Sequence, residues 1–506
     1  MKEQYLFDPV PEDRLDELSL EEMKILLRGE RNLNQQFKKY ISELETELFK
    51  SQQKSFLLEE QSINIKHRLF GKSSEKSPSN NKKIQGKKSP RKRVLLPSER
   101  YPNIDVIEKR VELDELPSCP CCANEMKDSG LTEDSEYLTV IPKRYYVVRQ
   151  KRVKYRCSTC QEGLVTTPTI PRIKAGSSYS DEMIVDVALS KYCDLIPVER
   201  YVQMAARGGV KGLPSNTLIQ GTHNLADFLT PVYEKIKAEV LSSKVLHADE
   251  TPHRMLEGDK KSNWYLWGFS SKVASYFEAH DTRSGSVASN IIKDSRCEYL
   301  VSDVFSGYQR AVSESNIYRK DSGLPEIKNI YCNAHARRKF KESQKSFVEE
   351  SDFFLWCYQK IYKLEKDKKI KDRRVWQKLY YRAMERMALR IKSSYSSKSS
   401  LVKAIDYFIK NYNELTLFLK FEDVPIDNNS QERLMRSPVV GRKTWYGTHS
   451  KRGAETSSIL FSLVESCKLN KVNPRDYFKD IVHTIHQNQQ IYTPAEYIKS
   501  RSENIA

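Results

Sequence analysis

No apolar run in this 506-residue chain is long enough to span a bilayer. Mean hydropathy is −0.66, so a helical membrane protein is excluded. The opening residues MKEQYLFDPVPEDRLDEL are acidic and lack the apolar core of a signal peptide. Cysteine is scarce: 10 residues, unevenly placed, do not make a secreted disulfide framework. Reduced thiols, a metal site and a cytoplasmic address are expected instead. Acids are outnumbered, with Asp+Glu at 67 against Lys+Arg at 85, a net charge of +18. Such an excess suits a polyanion partner, most simply nucleic acid, though a merely soluble basic protein has the same balance. No internal repeat is visible. The length implies several domains with separate cores.

What is present divides the chain into successive regions. Residues 1–70 hold one long helix, over 20–70. Leu26, Leu33 and Tyr40 recur every seven residues, and Phe37, Leu44, Leu58 and Ile65 form a second row with Ser51 as its polar gap. Glu47 and Lys54 interrupt the first row. Both a dimerising coiled coil and an amphipathic helix lying on its own protein fit this pattern. Residues 71–100 form a flexible basic linker, because GKSSEKSPSNNKKIQGKKSPRKR (71–93) has almost nothing to bury. Residues 101–175 carry paired cysteines around YLTVIPKRYYVVRQKRVKYRC, whose β-branched and aromatic composition predicts a β-ribbon. Residues 176–241 are helical. Helix, glycine turn and a helix capped by Ser215 fit a helix-turn-helix as well as an ordinary helical hairpin.

From 242 to 340 the pattern is mixed α/β, with strands expected in KVLHAD, NWYLWGFS, KVASYFEAH, EYLVSD and KNIYCN. Residues 341–422 are charged and helical, with Phe354, Trp356, Tyr362 and Trp376 spaced as buried faces; this is an expected insertion, with no strand until after 440. Residues 423–450 return to the mixed unit, and 451–506 form a helical tail.

CPCC at 119–122 and CSTC at 157–160 offer four thiolates, from Cys119, Cys122, Cys157 and Cys160, to one structural Zn²⁺. The x-x spacing turns both sulfurs of a knuckle toward one ion. Cys121 is an alternative ligand. Two redox pairs are the competing reading.

In VLHADETPHR (245–254), side chains alternate faces, so Val245, His247 and Asp249 share one and Glu250 takes the other. Tyr299, Val301 and Asp303 share a face in the same way. Parallel neighbouring strands end about 4.8 Å apart. Carboxylates there can flank two metal ions about 3.5–4 Å apart. A third acid is available in IDNNSQERLMRSPVVGRKTWYG (426–447), where Asn429, Glu432 and Arg436 share a helical face. Asn429, Arg433 and Arg436 are placed to hold phosphate beside it. Arg442, Lys443 and Trp445 form a cationic and aromatic strip suited to backbone contact and base stacking. In YCNAHARRKF, His335, Arg337, Arg338 and Lys339 open a basic helix. His335 is read equally as a DNA contact or as a packed, capping residue.

Read together, LFGKSSEK (69–76), the CPCC and CSTC knuckles, HADETP (247–252), SDVFSGY (302–308), CNAHARRKF (332–340), NNSQERLMR (428–436), GRKTWYG (441–447) and ESCKLNKVNPRDYF (465–478) resemble the DDE transposases of the bacterial insertion sequence sixty-six family. The motifs run in the family's order over nearly the whole chain. The resemblance implies a multidomain α/β protein with a ribonuclease-H-like (retroviral-integrase-like) catalytic core and a helical insertion. A leucine-zipper-like helix, a zinc-binding domain and a DNA-binding region precede that core. It implies a triad of Asp249, Asp303 and Glu432 holding Mg²⁺ (or Mn²⁺). It also implies transposon terminal repeats and target DNA as partners, a homo-oligomer at synapsis, small accessory proteins of the same element, and a nucleoid-associated place in a bacterial cytoplasm. The irregular heptad seam departs from the pattern. Two alternatives remain: a catalytically inactive, transposase-derived DNA-binding protein, and another metal-dependent nuclease on the same fold.

Overall fold

A computed structural model describes residues 20–70, 95–111, 115, 117–118, 120–127, 133–140, 143–157, 164–256, 263–367, 369–370 and 372–503. The chain divides into two compact units. One comprises Met1–Lys72, Arg152–Ala206 and Lys211–Ala506; the other comprises Ser73–Lys151 and Arg207–Val210.

The long N-terminal helix is present as α1 (Leu20–Phe70). The side chains of Leu26, Leu33, Phe37, Tyr40 and Leu44 lie outside the described residues. Leu58 and Ile65 are exposed, while Glu60 accepts the Ser400 amide at 2.9 Å, so α1 touches its own chain at that point.

In the smaller unit, the one-turn helix α2 (Pro97–Arg100) is held where Glu136 accepts both the amide and the hydroxyl of Ser98. Ser118 bridges Glu125 around a tight turn, and Ala123 takes a left-handed φ of 59°.

In the larger unit, β1 (Lys154–Arg156) pairs antiparallel with β2 (Leu164–Thr166). This short pair is all that the described residues form of the expected ribbon. Tyr146, Val147 and Val148 remain exposed, so the apolar composition there finds no face to pack on and no longer strands form.

Four helices follow: α3 (Asp181–Tyr192), α4 (Val198–Arg207), α5 (Ser215–Phe228) and α6 (Thr230–Leu241). The Ser180 hydroxyl caps α3 by accepting the Met183 amide. Ser215 is the first residue of α5, and Pro214 takes the cap position without a side-chain bond. Proline there is compatible with a helix start because its fixed φ suits the entering chain.

All five expected strands form: β3 (Val245–Arg254), β4 (Asn263–Ser270), β5 (Ser275–His280), β6 (Tyr299–Ser302) and β7 (Lys328–Tyr331). Their spatial order is β5-β4-β3-β6-β7. The first three are antiparallel, while β6 and β7 run parallel to β3. Helices α7 (Gly285–Ile292) and α8 (Ser306–Asp321) make the connections that parallel strands require.

Helices α9 (Asn333–Ser343), α10 (Val348–Lys366), α11 (Arg373–Ile391), α12 (Ser400–Lys410) and α13 (Tyr412–Thr416) surround a second core. Phe340 and Phe354 stack at 4.2 Å within it. The chain then returns through α14 (Asn429–Trp445), α15 (Lys451–Leu469), α16 (Pro474–His486) and α17 (Pro494–Glu503). No named strand follows β7 among the described residues; of the strands expected after 440, a single parallel bridge forms, between Thr448 and Met255 at the end of β3. Edge strand β5 is covered by α15: Ser462 and Ser466 hydroxyls accept the amides of Phe277 and Ser275, which removes an open pairing edge.

Candidate active site

The site begins with strand register. Val245 lies opposite Tyr299 and His247 opposite Val301 in the parallel β3–β6 pair. Two residues onward, Asp249 and Asp303 emerge on the same face. On the other side of β3, Asp249 lies opposite Gly268. A Cβ at 268 would sit 2.4 Å from Gln431 Nε2 and 2.8 Å from Met435 Sδ. Glycine therefore lets α14 rest directly on the sheet, and α14 carries Glu432.

Asn428 fixes where that helix starts. Its Nδ2 donates to the Ala248 carbonyl at 2.8 Å, its Oδ1 lies 2.8 Å from His247 Nδ1, and its amide donates to Cys332 Sγ at 3.2 Å. His247 is buried, and burial lowers its pKa, so it acts as a neutral strut for α14.

Asp249, Glu250, Asp303, His335, Glu432 and Arg436 line one cavity of about 390 Å³. Burial, then the neighbouring Glu250 and Asp303, push the Asp249 carboxyl up to about 8. Burial and Glu250 push Asp303 up to about 6, against the opposing pull of Arg283. Asp303 Oδ1 and Glu432 Oε1 are buried without a hydrogen-bond partner. Crowded carboxylates with bare oxygens form a site that favours a cation or a proton.

Strand alternation puts the Glu250 Cβ on the other face of β3, yet the residue still borders the cavity. It pairs across strands with Trp267, and Trp267 packs edge-on against Tyr308 at 5.8 Å. The Tyr308 hydroxyl donates to Glu250, and Arg283 donates through Nε and Nη2 at 2.8 and 2.6 Å. These partners anchor Glu250, yet its charge still acts on both aspartates.

The remaining candidates separate by exposure. Arg433, Arg436 and Lys443 are exposed, while Arg337 and Arg338 on α9 are half-buried. Arg338 approaches Glu432 at 3.9 Å. Asn429 donates to Asp427 Oδ2 at 2.7 Å at the helix start. Arg442 donates to the Thr251 hydroxyl and the Pro252 carbonyl, so it braces α14 on β3. The Trp445 ring packs 6.2 Å from Tyr192 and lies over Gly441, where a Cβ would meet it at 2.5 Å. Lys191 Nζ lies over the ring at 5.5 Å, and Trp445 is half-buried. Cys121, Cys122 and Cys157 are exposed; Cys119 and Cys160 lie outside the described residues.

Sequence reasoning passed over Gly268, Asn428, Arg283 and Tyr308. Asn428 and Tyr308 lie within the NNSQERLMR and SDVFSGY motifs, which gave them no role, and nothing local signals Gly268 or Arg283, which act through interelement contacts.

Residues 176–456 match the Transposase IS66 family, and residues 117–161 match the zinc-finger binding domain of transposase IS66. The chain is 26% identical over 422 residues to "Uncharacterized protein y4jD" of Sinorhizobium fredii (strain NBRC 101917 / NGR234), spanning 79% of this chain and 80% of that protein. It is 25% identical over 414 residues to "Uncharacterized protein y4hP" of the same organism, spanning 75% of this chain and 73% of that one. No described helix is long and apolar enough to cross a membrane. With the matched region covering more than half of its length, the chain belongs to the Transposase IS66 family.

Proposed function

We propose that the chain is a DNA transposase that cleaves at the ends of its element and joins the freed 3′-hydroxyl to target DNA. Asp249, Asp303 and Glu432 are its metal-binding carboxylates. The observation that carries this reading is the convergence of three acids, from β3, β6 and α14, on one cavity. Burying a bare carboxylate oxygen is costly, and Asp303 Oδ1 and Glu432 Oε1 are both in that state. An all-oxygen donor set fits Mg²⁺ or Mn²⁺. Bound there, two such ions would supply water activation and charge compensation at the leaving oxygen.

The residues of the chain do the positioning. Gly268 and Asn428 seat α14, and the Glu250–Arg283–Tyr308 cluster holds β3 against α8. Arg433, Arg436, Lys443, Arg337 and Arg338 are proposed to contact DNA phosphates, with Asn429 and His335 closer to the acids. Arg442 and Trp445, engaged within the protein, support that surface from beneath. The strand order, three antiparallel and two parallel, supports a ribonuclease-H-like core, with 341–422 as its helical insertion. Cys119, Cys122, Cys157 and Cys160 are proposed to hold the zinc of the zinc-finger domain. A homo-oligomer at synapsis, small accessory proteins and a nucleoid-associated cytoplasmic location complete the reading.

The test is an assay of the purified chain with Mg²⁺ and labelled terminal-repeat DNA. Cleavage and strand-transfer products are expected, and Asp303→Asn abolishes both while circular dichroism stays unchanged. Activity surviving in Asp303→Asn refutes the metal assignment. Hydrolysis without strand transfer indicates another nuclease, and DNA binding without cleavage indicates a regulator.

A further inference from the structure

Beside the aspartates lies a donor set of a different chemical kind. Cys332, His335 and Glu432 each offer one ligand atom, and the three atoms lie within 4.8 Å of one another. Cys332 occupies the cap position of α9 and is fully buried; His335 sits one turn later on the same helix. Glu432 comes from α14, and its Oε1 lies 3.7 Å from His335 Nδ1. Both of those atoms are buried and make no hydrogen bond.

Burial pushes the Cys332 thiol up to about 12, so it stays a neutral thiol until a bound cation displaces its proton. The Asn428 amide donates to it at 3.2 Å, and the His335 amide is a second backbone donor to it. It also sits at the N-terminus of an 11-residue helix. Amide donors and the positive end of a helix offset part of that burial and favour the thiolate a bound cation requires.

Thiolate, imidazole and carboxylate together select borderline-soft cations. Tetrahedral ligand atoms at about 2.0–2.3 Å from a zinc-class ion stand roughly 3.3–3.8 Å apart. The present spread therefore closes with small side-chain movements. We propose that Cys332, His335 and Glu432 form a binding site for one zinc-class divalent cation, separate from the zinc-finger domain, with its fourth position open to the cavity. One consequence rests on the transposase reading above: an ion held here draws Glu432 away from Asp249 and Asp303 and inhibits Mg²⁺-dependent cleavage.

The test uses the full chain with its zinc-finger zinc retained, titrated with Co²⁺ and followed by absorption. A thiolate-to-cobalt band with four-coordinate visible bands is expected, amounting to one equivalent more in the wild type than in Cys332→Ser. His335→Gln and Glu432→Gln each weaken the same equivalent. They decide the matter should Cys332→Ser fail to fold by circular dichroism. Identical titrations of wild type and folded variants overturn the site. Because this arm contains no DNA, its outcome is independent of whether the protein cleaves DNA. In a second arm, Zn²⁺ suppresses Mg²⁺-dependent cleavage at a concentration about tenfold lower in the wild type than in Cys332→Ser. Equal sensitivity overturns the sharing of Glu432.

Discussion

The carboxylates of the cavity are spread from residue 249 to residue 432 and arrive on three separate elements. The cysteine pairs occupy two four-residue stretches, 119–122 and 157–160. Around the acids stand a five-stranded sheet and a continuous core in which Leu246, Ala248, Leu266 and Leu300 are fully buried. Around the described cysteines there is a tight turn and a three-residue strand, with Tyr137, Val147 and Tyr155 exposed. Packing holds the first site in shape without help from an ion. The cysteine pairs are close in sequence, and a zinc held by them is expected to supply the order that packing supplies around the acids.

The sharpest way to break this contrast is to remove zinc. A structural zinc supplies on the order of 10 kcal/mol of binding energy that becomes folding energy. Chelation is expected to abolish hydrogen-exchange protection around 117–127 while leaving β3–β7 protected. Collapse of protection in both places would show that the sheet also needs the ion.

A smaller effect tests the packed site. Gly268→Val forces a side chain into Gln431 and Met435 and lifts α14. Overpacking of this kind costs about 1–3 kcal/mol, read as a lower urea midpoint, and cleavage should fall much further than stability. Wild-type cleavage in a destabilised variant would mean that Glu432 does not need this seat.

The crowded acids also make stability depend on pH when divalent cations are chelated. Their folded-state pKa values, about 8 for Asp249 and about 6 for Asp303, lie above the unfolded value of about 3.9. The folded state therefore holds the protons more tightly. The resulting stability is fully present below about pH 3.9 and is lost as pH rises through about 6 and then about 8. Thermal melts should show this decline, and Asp249→Asn should remove the upper part of it. A flat profile across pH 6–8 would contradict the crowding.

The smallest effect concerns the exposed rim. Arg436→Ala should weaken DNA binding by a similar factor for every sequence and reduce the slope of log affinity against log salt by about 1. An unchanged slope would remove Arg436 from the phosphate contacts.

Much of the fold was legible beforehand. The strands of 245–331 were readable because β-branched and aromatic runs are bounded by polar breaks. The alternation in VLHADETPHR placed Asp249 on the face that Asp303 shares. The ribbon expected over 137–157 appears among the described residues only as Lys154–Arg156, since strand-like composition forms a sheet only where something packs on it. Trp445, which the sequence offers as a stacking surface, is half-buried, with Tyr192 packed against it and Lys191 over its ring, partners that lie far from it in the chain.

Charge, the knuckle spacing, the helical and strand periods and the side of the sheet taken by each aspartate follow from the amino-acid sequence alone, because each depends on neighbours within a few residues. The approach of α14 at Gly268, the Asn428 link to β3 and the meeting of Cys332 and His335 with Glu432 depend on which surfaces exclude water together. They arose only in the tertiary structure, where one packed core brings residue 249 and residue 432 to the same cavity.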